Sequence, residues 1–97
     1  MEPLTYFKAQ ISKLKPELET KYFVQSIGLF GSVVRQDFSE TTSDLDILVD
    51  FKAPVGIEFI QLADYLEKAL NIKVDLVSKN GVKPDYLRII ESEVVYV

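Results

Sequence analysis

Apolar residues recur along the first twenty positions at Leu4, Phe7, Ile11, Leu14 and Leu18, the spacing of one helical face. Pro16 falls inside that series. Proline lacks an N–H and clashes with the carbonyl four residues back, yet it fits the first turn of a helix. The pattern therefore predicts one helix ending near Pro16 and a second, short one opening there. The run YFVQSIGLF, Tyr22 to Phe30, is dense in aromatic and β-branched residues and reads as a strand. SVVRQDF has room for one or two helical turns, SETTS is a polar loop, and DLDILVDF, Asp44 to Phe51, reads as a second strand. After Pro54 and Gly56, the positions Ile57, Ile60, Ala63, Leu66 and Leu70 mark an amphipathic helix, its stripe widened by Phe59 and Leu62. IKVDLVS, Ile72 to Ser78, is a third strand, KNG a turn, and Pro84 opens a last helix, PDYLRIIES. The apolar tail VVYV offers a further short strand or a partner contact. With no repeat and no linker, this order predicts an α/β (α+β) fold: a small mixed β-sheet flanked by helices, in a single domain spanning 1–97.

Composition narrows the chemistry. A hydrophobic fraction of 47% with 27% charged residues is that of a globular chain. Its 97 residues build only a small core, so a partner or a homo-oligomer is an open way to cover remaining apolar surface. The formal net charge of −4 opposes a sequence-independent grip on nucleic acid, which needs a basic footprint. The chain has neither cysteine nor histidine. Disulfides, thiol chemistry, Ser-His catalysis and His-ligated zinc are thereby excluded. Catalysis is left to carboxylates, Lys, Arg, Ser, Thr and Tyr, and any metal must accept hard oxygen ligands. The charged N-terminal stretch lacks the apolar region of a signal peptide, and no window approaches a membrane span. A cytoplasmic location without membrane contact is the expectation.

The candidate chemistry lies between Gly28 and Phe51. Asp44 and Asp46 occupy alternate positions at the head of the second strand. Alternation sends both to one face, with Cα atoms about 6–7 Å apart. Asp75 sits in KVDLV, where a lone buried carboxylate is costly; if its strand neighbours the second, it completes a triad. Clustered carboxylates raise one another's pKa unless a cation neutralises them. Asp44, Asp46 and Asp75 are thus the candidate metal ligands. Gly31-Ser32 follows the first strand. Glycine there lets backbone amides approach a ligand, amides opening a helix favour an anion, and Ser32 adds a hydroxyl. Arg35, three residues on, shares that helical face and can reach the same phosphate. A triphosphate cradle opposite a metal site is the equipment of phosphoryl or nucleotidyl transfer. Taken singly, each feature is commonplace: a solvated Asp-x-Asp, a Gly-Ser turn, an edge-strand carboxylate, a surface arginine. Their conjunction carries the reading. No Walker phosphate loop and no G-x-G-x-x-G occurs, and an EF-hand read from Asp37 would need glycine and glutamate where Thr42 and Leu48 stand.

With those residues in place, GLFGSVVRQDFSETTSDLDILVDF resembles the signature of the minimal nucleotidyltransferase (MNT) family within the DNA polymerase beta-like nucleotidyltransferase superfamily. The resemblance extends through VDLVSKNGVKPDYLRIIESEVVYV and covers most of the chain. It implies the nucleotidyltransferase fold and metal-dependent transfer of a nucleotide from a nucleoside triphosphate. By that resemblance Gly31 and Ser32 match the phosphate-binding pair, with Arg35 beside them. Asp44 and Asp46 match the metal-binding aspartates, and Asp75 the carboxylate that helps deprotonate the attacking hydroxyl. The implied cofactors are two Mg²⁺ ions, with Mn²⁺ as a substitute, and ATP is the implied substrate. Many such proteins act as antitoxins of a HEPN-domain partner by placing AMP on one of its tyrosines. Two departures stand out. Val34 and Gln36 occupy the alanine and glycine positions of the family's usual G-S-x-A-R-G, and the loop from Ser32 to Asp44 is one residue longer than usual.

Two functional classes are weighed on the sequence, and the intact carboxylate set favours the first, since clustered aspartates with no cation to hold would be destabilising. One is an enzyme using Ser32, Asp44, Asp46 and Asp75. The other is a binding module that neutralises its partner by occlusion. A nucleic-acid polymerase fragment is a third, opposed by the acidic balance.

Overall fold

The computed structural model describes residues 1–97. Its elements are α1 (Pro3–Lys21), β1 (Val24–Phe30), α2 (Ser32–Arg35), β2 (Leu45–Phe51), α3 (Ile57–Leu70), β3 (Val74–Ser78), α4 (Pro84–Glu93) and β4 (Val95–Tyr96). The four strands form one sheet in the order β3-β2-β1-β4. β1 runs antiparallel to β2 and β4, and β2 runs parallel to β3. The sheet is mixed and flanked by helices, as the hydrophobic pattern predicts.

The period of two along β2 sorts its residues between two cores. Leu45, Ile47 and Val49 join Ile27 and Leu29 of β1, Phe7, Ile11 and Leu18 of α1, and Leu62 and Leu66 of α3 in the main core. On the opposite face Leu48 and Phe30 pack against Ile90 of α4. Asp46 lies on this second face, one alternation before Leu48. α4 therefore covers only part of the sheet surface that carries the aspartates.

One expectation is corrected. α1 is not broken at Pro16 but runs through it to Lys21. The proline sits on the solvent side, with Ser12, Lys13 and Glu17 exposed beside it. The carbonyl that loses its partner there faces water, and Ile11, Leu14 and Leu18 keep the apolar stripe continuous across it. The tail resolves as a strand. Val95 and Tyr96 pair with Leu29 and Gly28, and the Val97 N–H donates to the Ile27 carbonyl at 2.9 Å. Gly28 permits that approach, since a Cβ there would stand 2.7 Å from Val94 Cγ2. No helix is long and apolar enough to cross a membrane.

Candidate active site

The site is assembled where β1 ends and β2 begins. In the β1–β2 ladder Phe30 is opposite Asp46, so the turn leaving β1 passes directly beside that carboxylate. Gly31 makes the turn with φ 75° and ψ −147°, a combination essentially confined to glycine. A Cβ at this position would overlap Asp46 Oδ2. Glycine thus serves twice here, permitting the backbone conformation and leaving the carboxylate room against it. Ser32 follows as the first residue of α2 and is half-buried.

The parallel ladder of β2 and β3 sets Asp46 opposite Asp75. The two leave the same face of the sheet on strands about 4.8 Å apart. Asp44 joins them from a different position than expected. β2 begins at Leu45, so Asp44 belongs to the end of the preceding loop and is exposed. It still acts on the cluster electrostatically. The Asp46 carboxyl is pushed up from 3.8 to about 6, first by burial and then by the charges of Asp75 and Asp44. Arg35 opposes the rise and Glu93 adds to it. Asp46 is therefore ringed by more negative charge than the chain's own cations offset.

That surplus, offered by carboxylate oxygens alone, suits a hard divalent cation in its chemistry. In position it is incomplete, for no three acidic side chains converge closely enough to enclose an ion. Mg²⁺ commonly takes one or two protein carboxylates and completes its shell with water and substrate phosphates. The donor set fits that kind of ion and not a closed protein cage. Asp44 and Asp75 are exposed and Asp46 is half-buried, so the site is open to solvent.

Arg35 has a partner that sequence reasoning missed. The last residue of α4, Glu93, accepts from the Gly31 N–H through Oε1 at 3.0 Å. Arg35 Nη1 donates to Oε1 at 3.1 Å and to Oε2 at 3.2 Å. Sixty-two positions separate Gly31 from Glu93. No local pattern marks this glutamate, since a carboxylate on the last turn of an exposed helix is ordinarily solvated.

The substitutions at Val34 and Gln36 are accommodated. Val34 packs against the main core. Gln36 keeps the left-handed turn that ends α2, with φ 69° and its N–H bonded to the Ser32 carbonyl, at the cost an L-residue incurs there.

Comparison with known proteins bears on the family and the fold. The model of the nucleotidyltransferase domain family matches residues 11–97. A candidate protein adenylyltransferase of Methanocaldococcus jannaschii is 41% identical over 99 residues, covering 100% of both chains. The protein adenylyltransferase MntA of Thermococcus cleftensis is 46% identical over 84 residues, covering 86% of this chain and 84% of that one. Among solved structures, a minimal nucleotidyltransferase superposes with a TM-score of 0.78 at 28% identity, covering 95% of this chain and 93% of its own. A toxin-antitoxin complex with AMP-PNP gives 0.75 at 27% identity, covering 91% and 69%. The complex of a tri-AMPylated Shewanella oneidensis HEPN toxin with its MNT antitoxin gives 0.66 at 25% identity, covering 92% and 69%. The match runs over nearly the whole sequence, and the chain belongs to the nucleotidyltransferase domain family as an enzyme of the minimal type.

Proposed function

We propose that this nucleotidyltransferase moves AMP from ATP to a tyrosine hydroxyl of a HEPN-type toxin and thereby acts as that toxin's antitoxin. The observation that carries the reading is the pairing of Asp46 with Asp75 across β2 and β3, with the Gly31 turn packed against Asp46. A site for cations and a site for phosphates then share a border. The partner assignment draws support from the relatives. One is named a protein adenylyltransferase, one solved complex contains AMP-PNP, and another holds a tri-AMPylated HEPN toxin beside its antitoxin.

In this reading the Gly31-Ser32 turn and Arg35 bind the β- and γ-phosphates and fix the α-phosphorus in line with the incoming hydroxyl. Asp44, Asp46 and Asp75 are the residues that would hold divalent ions, Mg²⁺ or Mn²⁺. Such ions, when bound, supply charge neutralisation at the reacting phosphate and favour ionisation of the attacking hydroxyl. Asp75, exposed on the edge strand β3, takes the hydroxyl proton in this reading. The hydroxyl oxygen bonds to the α-phosphorus, the α–β phosphoanhydride bond breaks, and pyrophosphate leaves.

Neutralisation by occlusion is the second reading. It draws on Glu93, whose carboxylate already occupies the Gly31 amide and the Arg35 guanidinium. The double substitution Asp44→Asn with Asp46→Asn separates the two. Under the enzymatic reading, AMP transfer and rescue of cells from the toxin are both lost. Rescue at wild-type level by the double variant would favour occlusion.

A further inference from the structure

Glu93 connects the end of α4 to the turn that opens α2. Its carboxylate accepts three hydrogen bonds, one from the Gly31 N–H at 3.0 Å and two from Arg35 Nη1 at 3.1 and 3.2 Å. Its side chain is 24% exposed, against 56% for Arg35. An exposed Arg–Glu pair alone contributes little, but here the same carboxylate also holds a backbone N–H. An oxygen anion held by a glycine amide and a guanidinium has the donors that a phosphate oxygen takes. The neighbours make this an unfavourable place for a further carboxylate. Asp46 lies against Gly31, with Asp75 opposite it on the next strand.

We infer that Glu93 is a built-in competitor of the triphosphate, an anion that holds the Gly31 and Arg35 donors until the substrate's terminal phosphates displace it. The inference rests on the reading of this turn as a phosphate site. Displacement needs no unfolding of α4. Glu93 is the last residue of that helix, and Val94 after it is already extended, with φ −63° and ψ 139°. Side-chain rotation suffices, while β4 keeps its pairing with β1. The competitor weakens nucleotide binding by the strength of the contacts exchanged. It also keeps Arg35 ordered in the resting enzyme and frees it only when a more highly charged anion arrives.

The test is isothermal titration calorimetry of Mg²⁺-ATP and Mg²⁺-AMP with the wild-type protein, Glu93→Ala and Glu93→Gln, each variant first shown to melt cooperatively. AMP lacks the phosphates that meet Glu93. The expected result is a gain in ATP affinity of about tenfold in Glu93→Ala, the size of one net charge-assisted contact. Glu93→Gln should show a smaller gain, and AMP affinity should stay unchanged in both. Equal or weaker ATP binding by Glu93→Ala overturns the inference, and so does an equal change for ATP and AMP, which marks a structural role. Wild-type binding of ATP alongside either result leaves the phosphate-site reading standing. Absence of ATP binding in all three proteins overturns that reading and the competitor with it.

Discussion

Asp46 lies between the Gly31 turn and Asp75, with its carboxyl raised from 3.8 to about 6 by burial and by the neighbouring aspartates. The folded state therefore holds this proton more tightly than the unfolded chain. The contribution to stability is fully present below about pH 4 and is lost as pH rises through about 6. Asp46→Asn should remove that loss. Without divalent ions, the variant should melt about 4–8 °C higher than wild type near neutral pH, for a gain of about 1 kcal/mol after discounting for partial exposure. At about pH 3.5 the difference should vanish. Thermal melts in a chelating buffer at the two pH values check this, and a lower melting temperature at neutral pH would contradict the charge-surplus account. Gly31→Ala acts on the same contact from the other side. The added methyl meets Asp46 Oδ2 in a backbone region that alanine avoids. A loss of about 2 kcal/mol or more is expected in denaturant unfolding, and wild-type stability would show that the turn relaxes without needing glycine.

At the scale of elements the hydrophobic pattern placed β1, β2, β3, α3 and α4, because periods of two and near four are imposed by burial on one face; it split α1 in two and left the tail open between a strand and a partner contact. It misplaced what depends on surroundings. Pro16 reads as a break because sequence gives its missing N–H but not the direction its side of the helix faces. Asp44 reads as a strand residue, yet the ladder begins at Leu45, whose N–H is taken by the Lys73 carbonyl at 2.8 Å. The Gly31–Ser32 turn was legible, since it follows from a strand end; the Asp46–Asp75 pairing stood only on the condition that the two strands neighbour, which the β2–β3 register meets. Glu93 was not, because its contact is made across the fold by an otherwise ordinary helix end. The continuity of α1 also carries a prediction. Pro16→Ala restores a bond to the Ser12 carbonyl and should stabilise the protein by roughly 1–3 kcal/mol. Urea titration measures it, and destabilisation would mean that the proline makes a favourable contact or bend.

The whole molecule is organised around a sheet whose two faces do different work. The face under α1 and α3 holds most of the buried apolar side chains. The face under α4 holds a three-residue core of Phe30, Leu48 and Ile90 and leaves the aspartate end uncovered. This division lets a small chain tolerate a charge surplus that would be costly inside the main core. It also leaves Asp44 and Asp75 exposed, a placement compatible with the proposed acceptor on a partner protein. Under the proposed function, these aspartates support transfer of AMP from ATP to such a partner. The most direct measurement is intact-mass spectrometry of the HEPN-type partner after incubation with this protein, ATP and Mg²⁺. Mass gains of whole AMP units on the partner are predicted, abolished by a chelator and by the Asp44→Asn/Asp46→Asn double variant. An unmodified partner held in a tight complex would contradict the claim.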